Sequence, residues 1–208
     1  QDADAWRSYT RAFIAEFAAR GGDEYEATVR SFAASDNPDI AWRARRALAA
    51  RGLVDAGAIE AWRSADGSGE AARMSVEALA SLPIEEARRH AWESVYSETL
   101  SNDFLTATLA GLQASSWEGE PGIEAAVDRL RSYWESHTIG MALRYANGVL
   151  AYGLDIDRDG SVSRSVGLLR SWLDTNSDAP AQLRRIVIEH LDAFERDERV
   201  QRRWKQDQ

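Results

Sequence analysis

The chain has 208 residues, 44% of them hydrophobic, with a net charge of −9 and a pI near 4.9. That is enough apolar material for a sizeable globular core, and the acidic balance argues against nucleic acid or an anionic membrane as main partner. There is no cysteine, which excludes disulfides, thiolate zinc sites and cysteine nucleophiles and fits a cytoplasmic protein.

Ala and Arg are abundant, Lys is scarce and only four Pro occur, a composition that favours helix. No apolar run is long enough to span a membrane, and no signal-peptide pattern opens the chain. It begins Gln1-Asp2 without Met, and we expect a fragment of a longer chain.

Taken in order, the first helix runs from Asp4 to Arg20 with Trp6, Tyr9, Thr10, Phe13 and Phe17 on one side, and Gly21-Gly22 stops it. Asp23 with Glu26 reads as a variant capping box for a helix carrying Tyr25, Val29 and Phe32. Asn37 to Asp66 carries the fullest set of signals. Asn37 caps, Pro38 suits the first helical position, and Ile40, Ala44, Ala47 and Leu48 recur on one face. Gly52 is placed for a left-handed stop, and Asp55 caps a second helix across which Val54 and Ile59 form a hydrophobic staple. Neither helix can bury its stripe alone, so this stretch implies a stack.

After the turn Asp66-Gly67-Ser68-Gly69, a helix to about Ser81 turns Met74, Ala78 and Leu79 inward. Pro83 opens another, through Ala87, Ala91, Trp92 and Val95. Ser101-Asn102-Asp103 starts the next, with Phe104, Leu105, Thr108, Leu109 and Leu112 as its face. Beyond a loop from Ser115 to Gly122, the spacing of Ile123, Val127, Leu130 and Trp134 predicts one helix, and Thr138 caps another through Ala142, Tyr145, Ala146, Val149 and Leu150. An acidic loop from Asp155 to Gly160 leads to a short helix marked by Val166, Leu169, Trp172 and Leu173. Pro180 opens the last, with Leu183, Ile186, Val187, Leu191 and Phe194 inward, and the charged residues 196–208 are expected to fray.

The fold class this predicts is all-α: a curved stack of antiparallel helix pairs, a HEAT-like superhelix of about ten helices without a repeating consensus. With no linker in sight, residues 1–208 read as one helical domain, in which 1–36 closes a preceding repeat.

Sites are sparse. His90, His137 and His190 have no second His three or four residues away and no H-E-x-x-H occurs, so a zinc-peptidase site cannot be assembled from them. His190, at the edge of an apolar face, reads as packed core. The acidic loop copies the first positions of a calcium loop, with carboxylates at Asp155, Asp157 and Asp159, Gly160 for the turn and Val162 in the apolar eighth place. Val166 stands where that loop needs a closing carboxylate, and the other reading is a well-capped acidic connection. Trp92, Trp134 and Trp172 fall at core positions, whereas Trp42, Trp62, Trp117 and Trp204 fall off the main stripes or in loops, where an interface to a partner is one reading. Arg43, Arg45, Arg46 and Arg51, with Arg184 and Arg185, read as solvated, ion-paired faces or as contacts for an anion or a peptide carboxylate. There is no G-x-S-x-G, G-x-G-x-x-G or Walker loop. No catalytic, cofactor-binding or metal-ligating residue is assigned to this chain.

One resemblance stands out. Asp39-Ile40-Ala41-Trp42-Arg43, Leu48-Ala49-Ala50-Arg51-Gly52-Leu53-Val54-Asp55, Ile59-Glu60, Ala91-Trp92-Glu93, Leu100-Ser101-Asn102, and Ala179-Pro180-Ala181-Gln182-Leu183-Arg184-Arg185 with Glu189 and Arg196 are similar to runs in one known family. From about Asp39 to Arg202 the chain resembles the C-terminal helical domain of actinobacterial aminopeptidase N, a zinc metallopeptidase family of the gluzincin type. It departs from that pattern at Tyr152-Gly153 and in the turn from Asp66 to Gly69. The resemblance implies a non-catalytic domain that caps the catalytic domain of the same polypeptide and restricts peptide access. The parent hydrolase would remove N-terminal residues from peptides, with zinc and the G-x-M-E-N and H-E-x-x-H motifs upstream. Neither motif occurs here, so this fragment alone is expected to be inactive, without cofactor. The other reading of the residues is a stand-alone helical-repeat scaffold that binds a protein partner, and a third is a binding module tuned by calcium.

Overall fold

The computed structural model describes residues 2–97, 99–114, 123–152 and 162–206. Among them the chain is all-helical, with twelve helices and no strand, and no helix is long and apolar enough to cross a membrane. The chain divides into two compact units, Gln1–Glu120 and Pro121–Gln208.

The first unit holds α1 (Asp2–Arg20), α2 (Asp23–Ala33), α3 (Pro38–Ala50), α4 (Ala56–Asp66), α5 (Gly69–Ala80), α6 (Glu85–Val95) and α7 (Asn102–Ala114). Odd-numbered helices pack in succession, α1 on α3, α3 on α5 and α5 on α7, while α2, α4 and α6 each lie against the odd helix that follows. This is the stacking that single amphipathic helices require, since each buries its stripe only against a neighbour.

The Asn37 to Asp66 stretch forms as its residues dictate. The Asn37 side chain accepts from the Asp39 and Ile40 amides at 3.1 and 3.3 Å, with Pro38 behind it in the first turn. Gly52 takes φ +67°, and the Leu53 amide returns to the Leu48 carbonyl at 2.9 Å, closing the helix. Asp55 accepts from the Ala58 amide at 2.8 Å to start α4. Asn37→Ala is expected to cost about 1 kcal/mol, read as a lower urea midpoint at unchanged slope, and Asn37→Asp to retain most of it.

α3 is buried on more than its predicted stripe. Ile40, Ala44, Ala47 and Leu48 join Ile14, Phe17, Val29 and Ala33 in one core cluster. Trp42 and Ala49, with Ile59, Ala71, Ala78 and Leu82, form a second. A helix with neighbours on both sides has no single inward face.

α1 differs from its expected face. Thr10, Ile14 and Phe17 are buried, whereas Trp6 and Tyr9 are 50% and 77% exposed. The aromatics at 6, 13, 25 and 32 cluster at the α1–α2 margin instead, in edge-to-face pairs from 5.5 to 6.4 Å. The expected capping box at Asp23 is also replaced. α2 starts one residue earlier, with Gly22 as N-cap, and Asp23, Glu24 and Glu26 fill its acidic first turn.

The second unit holds α8 (Ile123–Asp128), α9 (Leu130–Ser136), α10 (Ile139–Tyr152), α11 (Val162–Thr175) and α12 (Ala181–Gln206). The one helix predicted around Leu130 is broken at Arg129. Ala126, Val127, Leu130 and Tyr133 are buried, and Trp134 is only half-buried. The Tyr145 hydroxyl donates to the Ala126 carbonyl at 2.8 Å, and the Tyr133 ring stacks between Tyr145 and His137 at 4.0 and 3.7 Å. α10 and α12 bury the predicted residues, apart from a half-buried Leu191. α12 continues helical to Gln206, where fraying was expected after Glu195. Glu195 anchors this extension through Arg170 of α11 at 2.6 Å and Arg199 at 3.9 Å, and the residues beyond are mostly good helix formers.

Candidate functional site

A groove of about 580 Å³ lies in the first unit, between α3 and the start and middle of α5. α3 contributes Asp39, Trp42, Arg43 and Arg46, α5 contributes Glu70, Arg73, Met74 and Glu77, and Asp66 and Ser68 close one end. The spacing places these side chains: 39, 43 and 46 on α3, and 70, 73, 74 and 77 on α5, each share one helical face.

Ion pairs tie the walls. Arg46 of α3 reaches Glu77 of α5, whose side chain is 10% exposed. Arg73 chelates Glu70 through Nε and Nη2 at 3.2 and 2.5 Å, and its Nη1 lies 3.8 Å from Glu77. Asp39 accepts from Arg43 and from Arg11 of α1, both at 2.9 Å. Partial burial opposes ionisation of Asp39, but the two guanidinium hydrogen bonds outweigh it and hold the carboxyl below the usual range. The Ser68 and Trp42 hydrogen bonds lower Asp66. The Arg73 hydrogen bond lowers Glu70, against burial and the nearby Asp39 charge. All three therefore remain anionic at neutral pH.

At the floor, the Trp42 indole N–H donates to Asp66 at 3.1 Å. The Arg45 guanidinium lies 4.9 Å from the Trp42 ring centroid and 5.3 Å from that of Trp62, with its Nε on the Ala33 carbonyl at 3.1 Å. Such cation–π contacts fix rings and guanidinium together. Ser68 is engaged as the N-cap of α5, accepting from the Ala71 amide at 3.0 Å. The groove's chemistry is hydrogen bonding by held guanidinium and carboxylate groups.

The sequence singled out the arginines but not their partners, because Arg46 and Glu77 lie 31 positions apart. Trp42 lies off the predicted stripe, but its reading as an interface residue is corrected: it is 1% exposed, since it faces the second core cluster. Trp62 is half-buried, and Trp92 and Trp172 are core at 3% and 4% exposed. Trp117 and the Trp204 side chain lie outside the described residues, as do Asp155, Asp157, Asp159 and Gly160 of the calcium-like loop. Val166, in its twelfth position, is buried on α11. Among the described residues no three of His, Asp or Glu are grouped to hold a metal ion. Arg185 makes an exposed pair with Glu189 at 2.7 Å, whereas Arg184 donates to the Leu173 and Asn176 carbonyls at 2.9 and 2.7 Å, closing the end of α11.

His90 is exposed, and His137 is half-buried in the Tyr133 stack. His190 is also half-buried rather than fully core, 3.5 Å from the Asn147 amide oxygen and beside Phe194. Burial lowers its pKa below 6.5, against an opposing contribution from Glu189. The folded state thus favours neutral His190, so its stabilisation is complete above the unfolded pKa of about 6.5 and is lost as pH falls through the folded value. Urea midpoints of the wild type are expected to fall between pH 7 and pH 5 more steeply than those of His190→Gln.

Many of the residues that carry the resemblance occupy structural positions, while Asp39 and Arg43 line the groove and Glu60, Glu93, Arg185 and Glu189 are exposed. Ile40, Ala41, Trp42, Leu48, Ala49, Ala50, Ala91, Trp92 and Leu183 are buried, Gly52 is the left-handed stop and Asp55 the N-cap. No family model and no curated protein matches the chain.

Proposed function

We propose that the chain is a non-catalytic helical domain that binds peptide segments in the α3–α5 groove. The groove carries this reading: an open trough whose charged side chains are already held in place by partners, so that little side-chain ordering is left for a ligand to impose. In its specific form the reading is the accessory domain of a zinc aminopeptidase. It would pack on the catalytic domain of the same polypeptide, where zinc would reside, and restrict which peptides enter. A stand-alone scaffold for a protein partner is the other form, with the same groove as its contact.

The two forms separate at the coding sequence. G-x-M-E-N and H-E-x-x-H ahead of Gln1 support the peptidase form, and their absence removes it. In such a parent enzyme, replacing groove residues is expected to change cleavage of long peptides relative to short ones. An unchanged ratio overturns the gating role. Peptide binding itself is tested on the ¹⁵N-labelled 208-residue chain with unstructured peptides. Saturable shifts of backbone amides support it, and none at millimolar concentration overturns it.

A further inference from the structure

We infer that the α3–α5 groove holds an extended segment by its main chain, with little regard to its side chains. This rests on the peptide-binding reading above and adds the mode of recognition.

The donors and acceptors of the groove are unequally used. Arg43 gives its Nε to Asp39, Arg46 gives Nη1 to Glu77, and Arg73 gives Nε and Nη2 to Glu70, with Nη2 also on the Met74 sulfur at 3.0 Å. A guanidinium has five N–H donors, so each of the three keeps N–H groups beyond these bonds. The carboxylates are held at both oxygens, Asp39 by Arg11 and Arg43, Asp66 by Trp42 and the Ser68 amide. Each oxygen still has a second lone pair. The trough thus offers fixed donors and fixed acceptors side by side.

Their span matches a short extended segment. Along α3 the sequence of groups is Asp39, Arg43, Arg46, and along α5 it is Glu70, Arg73, Glu77. At about 1.5 Å rise per residue each row spans about 10 Å, the length of about three extended residues. An extended main chain presents N–H and C=O groups in alternation over that distance. Three guanidinium groups against four carboxylates leave one net negative charge on the lining. That is a weak basis for choosing between cationic and anionic side chains, and salt screens it further.

The test uses the ¹⁵N-labelled 208-residue chain and reads the Trp42 indole N–H, which sits on the groove floor. Four capped probes are titrated at about 0.15 M salt: an alternating alanine–serine hexapeptide, its backbone N-methylated counterpart, hexaarginine and hexaglutamate. The three unmethylated peptides are expected to shift the Trp42 signal with dissociation constants within about threefold of one another, and methylation to weaken binding by about tenfold or more. Arg43→Gln, which leaves Asp39 its bond from Arg11, is expected to weaken all three alike. Hexaarginine or hexaglutamate binding more than about tenfold tighter than the neutral peptide, or N-methylation without effect, overturns main-chain recognition and leaves peptide binding standing. Saturable shifts confined to amides away from the groove overturn the site. No shift with any probe overturns both readings.

Discussion

Trp42→Ala is expected to lower the unfolding free energy of the first unit by about 3–5 kcal/mol. The indole is 1% exposed and packs with Ala49, Ile59, Ala71, Ala78 and Leu82 between three helices. Removing it leaves a cavity among side chains fixed by three backbones, where collapse is incomplete. It also removes the bond to Asp66 and one of the two rings that flank Arg45. Asp66 is exposed and keeps Ser68, so the cavity rather than an orphaned carboxylate dominates the cost. Trp42→Phe separates the contributions, because it keeps most of the apolar contact and should cost about 1–2 kcal/mol. Urea unfolding followed by circular dichroism gives both values. A tryptophan off the main stripe and open to a partner, the reading its sequence position allowed, would change stability by no more than about 0.5 kcal/mol.

That contrast marks where the sequence was legible. Helix starts and stops are local events, and Asn37, Gly52 and Asp55 act as their identities demand. Faces with one neighbouring layer were also readable, and α7 and α10 bury the residues their spacing selects, apart from a half-buried Phe104. Faces inside the stack were not. α3 meets neighbours on two sides, so periodicity, which finds one stripe, left out Trp42 and Ala49. Charge misleads in the same way. Arg88, on a helix that looks half polar, is 1% exposed, and burial lowers its pKa to about 10. Most of the groove was illegible for a related reason. Its arginines announce themselves as a run, but what makes a trough is the approach of α5, which brings Glu77 to Arg46 across 31 positions.

On its other side α5 meets α7 at Gly111, and Gly111→Ala supplies the other large expected effect. In an exposed helix interior the change would stabilise by about 1 kcal/mol, because alanine is the better helix former. Here α5 and α7 cross so closely that a Cβ on Gly111 would fall inside contact distance of the Glu77 carbonyl oxygen and 2.7 Å from the Ala80 Cβ. The first neighbour is backbone and cannot rotate away, so α5 or α7 must move. Overpacking of this kind costs about 1–3 kcal/mol against a propensity gain of about 1 kcal/mol, which leaves a net loss of up to about 2 kcal/mol. Gly167→Ala is the matched control: it lies in α11, where a Cβ meets nothing within 4 Å, and it should stabilise by up to about 1 kcal/mol. Opposite signs from one chemical change would establish the close crossing. The consequence reaches the groove, because the residue whose carbonyl is struck is the one whose carboxylate holds Arg46. A displaced α5 should therefore shift the Trp42 indole resonance in Gly111→Ala before any ligand is added, while Gly167→Ala leaves it in place.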